Sequence, residues 1–144
     1  MTNALQQNLF DKYPKIFGEK DLPMTQTCMC WGLDCGDGWY PMIEFLCNQL
    51  QWDTDRNGYP QVVATQIKEK YGTLRFYYTS DTSVCSEAAV DQIERMVGVQ
   101  DGMISTIENL SAYVCEGCGI NKGVFQTKGW IRTTCQQCED KRAK

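Results

Sequence analysis

Three observations in the sequence predict an α+β fold in which helices pack on a small antiparallel sheet and a cysteine-rich ribbon docks at the C-terminal end. Two runs, 61–69 and 73–79, are rich in β-branched and aromatic residues and meet at Tyr71-Gly72, the mark of a hairpin. Segments on either side of these runs place apolar residues at helical spacing. The C-terminal segment holds two Cys-x-x-Cys pairs, Cys115/Cys118 and Cys135/Cys138, with sixteen residues between them. The 144 residues divide into a body, 1–112, and a ribbon, 113–144.

In chain order, Leu5, Leu9 and Tyr13 recur at spacing four and predict a short amphipathic helix from Asn3 that stops before Pro14. Ile16 and Phe17 are candidates to anchor the return. Next comes the densest group of special residues in the body, Cys28-Met-Cys30-Trp31-Gly-Leu-Asp34-Cys35-Gly-Asp37-Gly-Trp39-Tyr40-Pro41. Its three glycines demand unusual backbone angles or close approach. Cys28, Cys30 and Cys35, with Cys47, offer thiols for a second metal. Cys-x-Cys, however, puts two sulfurs on one face of an extended strand and builds no knuckle, so buried thiols are favoured.

Asp37 before Gly-Trp-Tyr-Pro reads as the start of a helix over 40–51, with Ile43, Leu46, Cys47 and Leu50 on its buried stripe. Asp53-Thr-Asp55-Arg-Asn57-Gly58 opens like a calcium loop. The twelfth position is Ala64 where a bidentate Glu is needed, and Pro60 interrupts the loop, so a polar turn at Asn57-Gly58 is predicted instead. In the second strand Leu74, Phe76 and Tyr78 alternate onto one face, and Arg75 and Tyr77 onto the other beside Lys68 or Lys70. That second face is either an ordinary solvated surface or one able to stack and pair with a nucleotide. A helix follows from Ser86 to Ser111, with Gly98 and Gly102 expected to kink or split it.

Two Cys-x-x-Cys pairs at this separation match a four-thiolate zinc site, with Cys115, Cys118, Cys135 and Cys138 as ligands to Zn²⁺. The residues between read as strand 124–127, turn Lys128-Gly129 and strand 130–133, a hairpin that returns the second pair over the first. A closed four-sulfur site has no open coordination position, so the metal holds structure and performs no chemistry.

Charge is unevenly placed. Residues 1–112 carry 8 basic and 15 acidic side chains, a balance of −7, and residues 113–144 carry 6 and 3, a balance of +3, which together give the net −4. Four thiolates on a divalent cation add a further −2 and leave the ribbon nearly neutral. A nucleic-acid-binding regulator is therefore disfavoured; its contacts would come from Lys122, Lys128, Arg132, Lys141, Arg142 and Lys144. Histidine is absent, which excludes Ser-His and Cys-His nucleophiles, imidazole bases and His-ligated catalytic metals. Asp34, Asp37 and Glu44 are the clustered carboxylates left to an enzyme, and we expect none. No apolar run approaches the ~18 residues of a membrane span and no signal-peptide pattern begins the chain, so a soluble cytosolic protein without membrane contact is expected.

Taken together, Trp31–Tyr40, Lys68–Tyr78, Cys115-x-x-Cys118-Gly119 and Gly129–Cys138 resemble a family of small tailed-bacteriophage proteins with a C-terminal four-cysteine zinc ribbon, over residues 28–138. The resemblance implies a phage origin and action in the host cytoplasm, and it transfers no catalytic or binding residue. Phage proteins of this size often blunt host defence. The expected function is thus a non-catalytic binding protein that counteracts a host defence factor, by sequestering a small signalling nucleotide or by occupying a host protein surface. The alternatives are a zinc-ribbon nucleic-acid-binding regulator and, less favoured for so thiol-rich a chain, a virion component. The oligomeric state stays open, a homo-oligomer included. The nucleotide would be held by Trp39 and Tyr40 at a helix N-terminus, by Arg75 and Tyr77 on one strand face, and by Trp130 and Arg132 on one face of the ribbon hairpin.

Overall fold

The computed structural model describes residues 1–85 and 88–142. Its elements are α1 (Asn3–Lys12), β1 (Leu33–Asp34), α2 (Tyr40–Asn57), β2 (Gln61–Lys70), β3 (Thr73–Asp81), α3 (Val90–Leu110), β4 (Val124–Gln126), β5 (Thr133–Cys135) and α4 (Gln136–Arg142). The fold is α+β, as predicted, but the main sheet is mixed. β2 and β3 pair antiparallel, and the two-residue β1 joins the other edge of β2 in parallel through Leu33 opposite Ile67 and Asp34 opposite Lys68.

Helices α2 and α3 cover one face of this sheet. Trp39, Ile43, Leu46 and Leu50 with Ile104 and Ile107 bury Val62, Ala64, Ile67, Leu74 and Phe76. The alternation in β3 runs as the sequence predicts, and an irregularity between Ala64 and Gln66 keeps both Ala64 and Ile67 on the buried side. Each core side chain of this size contributes about 1.5–3 kcal/mol when buried. The outer edge of β3 meets the end of α3: Leu74 N–H donates to Ser111 Oγ (2.8 Å) and Phe76 N–H to Glu108 Oε1 (2.7 Å). Those bonds occupy amides that would otherwise form an open sheet edge.

Several boundaries differ from the sequence reading. α2 runs to Asn57, and Asp53 and Asn57 bond to each other across one of its turns (2.8 Å), so no calcium loop forms there. α3 is a single 21-residue helix from Val90; neither Gly98 nor Gly102 splits it, because both face open space and nothing competes with the helical backbone. The Ser86 predicted to start that helix, and Lys144 of the basic tail, lie outside the described residues. The ribbon hairpin is shorter than expected, with Gln126 opposite Thr133, so residues 127–132 form a loop. Thr127 closes that loop by donating from Oγ1 to Trp130 O (2.7 Å) and accepting there from Arg132 N–H (3.0 Å). Among the described residues, no helix is long and apolar enough to cross a membrane.

Candidate metal centre and ligand cleft

Cys115 and Cys118 lie on a tight knuckle in which Gly119 N–H donates to Cys115 O (2.8 Å) and Cys115 N–H to Ile120 O (2.8 Å). Cys135 ends β5 and Cys138 stands in the first turn of α4, so a strand-to-helix corner supplies the second pair. The four sulfurs lie within 4.8 Å of one another, and Cys118 and Cys135 are 3.7 Å apart. A tetrahedron with metal–sulfur bonds of ~2.3 Å has edges of ~3.8 Å, which the Cys118–Cys135 separation already matches, so the cluster could hold one ion.

The cluster is electrostatically uneven. Burial opposes ionisation of Cys115, but the amides of Cys118, Cys135 and Gly117 outweigh it and bring the thiol down to about 6. Cys138 is pushed up to about 12, by burial and then by the neighbouring sulfurs. One thiolate is ready to receive a cation, and a divalent charge is what makes the others ionise beside it. Among the described residues only these four cysteines form such a cluster. Cys28 and Cys30 are exposed, while Cys35 and Cys47 are buried in the body, where burial pushes Cys35 up to about 12 and raises Cys47. The expectation of buried thiols thus holds for Cys35 and Cys47 and fails for Cys28 and Cys30, and among the described residues these four do not gather into a cluster.

The body grips this centre through its glycines. Gly36 N–H donates to Glu116 Oε1 (2.8 Å) and Gly38 N–H to Glu116 O (2.8 Å). A methyl group on Gly38 would overlap the backbone of Cys115, Glu116 and Gly119. The glycine-rich stretch thus serves close approach, one of the two uses the sequence left open. On the far side, Thr133 Oγ1 donates to Gly72 O, and a methyl group on Gly72 would stand 2.9 Å from Ile131 Cγ2.

The predicted ligand residues separate into five places. Trp39 is fully buried and donates from Nε1 to Val114 O (2.9 Å), so its ring is core and offers no stacking face. Tyr40 points toward α1, where its hydroxyl accepts from Asn8 Nδ2 (2.9 Å). Arg75 and Tyr77 do share the uncovered sheet face, with Lys68 Nζ 5.7 Å from the Tyr77 ring centroid. Trp130 and Arg132 do not share a face, because they lie in the 127–132 loop and no strand alternation applies. Arg132 pairs with Glu139 (3.0 Å) and turns to a hollow beside Lys141 and Arg142.

Trp130, 75% exposed, opens instead onto a cleft of about 400 Å³ between the hairpin tip and the ribbon loop. Lys68, Glu69, Lys70, Tyr71 and Ile131 share that cleft, and Glu69 Oε1 accepts from Gly72 N–H (2.6 Å). Tyr71, 71% exposed, sits at φ 54° in the two-residue turn, followed by Gly72 at φ 76°. Turns with both central residues at positive φ favour Asn-Gly, and a tyrosine there costs on the order of 1 kcal/mol. Sequence reasoning treated Tyr71 as a turn residue only; an aromatic side chain at a position that favours asparagine was the available signal. No known family's sequence pattern matches the chain, and no curated protein or solved structure matches it.

Proposed function

We propose that this protein is a non-catalytic binding protein, stabilised by zinc, whose ligand is a small nucleotide held between the hairpin tip and the ribbon loop. The observation that carries the reading is the pair Tyr71 and Trp130, two exposed rings from the hairpin tip and the ribbon loop that line one cleft with Lys68 and Lys70. Aromatic faces take a base, and lysines take a phosphate. The strained backbone at Tyr71 supports it further: within the described residues its 71% exposed ring meets the Lys70 ammonium, 5.7 Å from the ring centroid, and is otherwise open to a ligand. In this reading the ligand is bound and released unchanged.

Four sulfurs in a closed tetrahedral arrangement suit Zn²⁺ or iron, and zinc is the assignment for a site that holds a small ribbon together. Cys115, Cys118, Cys135 and Cys138 hold it. Elemental analysis is expected to find one zinc per chain; iron would change the metal and leave the fold reading intact.

The phage resemblance gives the biological setting: a trap that withdraws a host-defence signal in the host cytoplasm. A trap must bind below the signal's working concentration, which calls for a Kd near or under ~100 nM, about −9.5 kcal/mol. Calorimetry of the zinc-loaded protein against a nucleotide panel tests this. Trp130→Ala is expected to weaken binding by roughly 1–3 kcal/mol, the worth of one base–aromatic stack. A panel without a binder, or tight binding untouched by Trp130→Ala, would remove the cleft from consideration. Submicromolar duplex DNA binding at ~150 mM salt with a steep salt slope would replace it with the regulator reading.

A further inference from the structure

The cleft does not end at Lys68. The face of the sheet that α2 and α3 leave uncovered continues from it, and its side chains follow from the strand register. Lys68 stands opposite Arg75 on β3 and beside Asp34 on β1; one step further, Gln66 stands opposite Tyr77. Trp31, 68% exposed, lines a hollow of about 360 Å³ with Cys28, Asp34 and Gln66. Trp31 and Tyr77, itself 40% exposed, therefore flank Gln66 from the two sides of β2. Lys68 links the two ends: it lines the cleft with Trp130, and its ammonium lies over the Tyr77 ring.

From Lys70 at the hairpin tip to Gln66 is four residues of strand, about 13 Å at the usual rise. That separation is too long for one base and its phosphate to use both ends. Between the ends lie Lys68, Lys70 and Arg75, and among the described residues none of the three forms an ion pair with a carboxylate. Arg75 spends one guanidinium N–H on Leu74 O (2.8 Å), which fixes its plane against the strand and leaves its other donors for a ligand.

From this arrangement we infer that the natural ligand carries two nucleobases joined through phosphate, one base in the Tyr71–Trp130 cleft and the other between Trp31 and Tyr77, with the phosphates along Lys68 and Arg75. Gln66 and Asp34 supply a donor–acceptor amide and an acceptor to the edge of the second base. The inference rests on the cleft reading above and adds its second half. The required chemistry is shared by a free dinucleotide and by a stretch of single-stranded nucleic acid.

The test is a titration series on the zinc-loaded full chain with adenosine monophosphate, a linear diadenosine phosphate, a cyclic diadenosine phosphate and a twelve-residue oligodeoxyadenylate, at fixed salt. A two-base ligand, linear or cyclic, is expected to bind at least tenfold tighter than the monophosphate. Trp31→Ala should erase most of that gain while leaving monophosphate affinity unchanged, Tyr77→Ala should erase it too, and Trp130→Ala should weaken the binding of both ligands. An oligonucleotide no tighter than the better dinucleotide assigns a free dinucleotide; one clearly tighter assigns a single strand. Equal affinity for one and two bases, with Trp130→Ala still damaging, overturns the second half and leaves the cleft standing. No binding by any probe overturns both.

Discussion

In the body, Trp39, Phe17, Ile43, Leu46 and Leu50 pack out of solvent against the sheet. In the ribbon, the buried residues among those described are Cys115, Thr133, Thr134 and Cys135, while Ile120, Phe125, Trp130 and Ile131 remain exposed. One region is held by an apolar core. The other is too small to build one; it grips the body through Gly36 and Gly38, and its four sulfurs gather where they could hold a metal ion. The difference explains why exposed apolar side chains gather on the ribbon. If the four cysteines hold a metal, the ribbon can present Trp130 to solvent without drawing on an apolar core.

Removing the metal should therefore give the largest effect, and a selective one. A chelator, or Cys118→Ser, is expected to abolish ribbon order, since structural zinc supplies on the order of 10 kcal/mol of apparent free energy in small sites. Helical circular dichroism from α2 and α3 should largely survive. Cooperative loss of the whole fold on chelation would break the distinction between the two regions.

Acid should do the same more gradually. Cys138 is held up to about 12, and Cys118 is also raised: the Ile120 amide favours its thiolate, but burial and the Cys115 and Cys135 sulfurs prevail. These thiols bind protons in the metal-free protein that the metal must displace. Metal-derived stability is accordingly present at neutral and higher pH and is lost as pH falls. Metal uptake near pH 7 should release more than one proton per ion, measurable from the buffer dependence of the binding heat.

On the core-held side, Phe76→Ala should cost about 3–5 kcal/mol of body stability while the folded fraction keeps its metal. Gly38→Ala sharpens the comparison because it acts at the contact between the regions. The added methyl meets the backbone of Cys115 and Glu116, and a loss of about 1–3 kcal/mol is expected, together with weaker metal retention. Stability loss with metal affinity unchanged would mean that the knuckle does not feel the body.

The parts of this arrangement legible in the sequence are those with a repeating or spaced chemical signal. Leu74, Phe76 and Tyr78 alternate because a strand has period two, and the cysteine spacing matches a knuckle pair. β1 was invisible because two residues carry no period, and its parallel pairing made the sheet mixed. The ribbon hairpin is shorter than its residue types imply: Thr127 N–H still donates to Arg132 O (3.0 Å), but the Thr127 hydroxyl then bonds Trp130 O and Arg132 N–H and the chain turns into a loop. Trp39 could not be told from a stacking residue, since a tryptophan at a helix start looks the same whether it packs inward or outward. The close approaches at Gly38 and Gly72 join parts of the chain more than fifty residues apart, and no local pattern reports them.

The smallest energetic change reaches the ligand claim most directly. Tyr71→Asn places the preferred residue in the hairpin turn and removes one wall of the cleft, so stability and binding should move in opposite directions. Thermal unfolding and nucleotide calorimetry on the same preparations decide it. The expected result is a rise of about 0.5–1 kcal/mol in stability with a fall in affinity of fivefold or more. A more stable protein that binds its nucleotide as tightly as before would contradict the assignment of the Tyr71–Trp130 cleft.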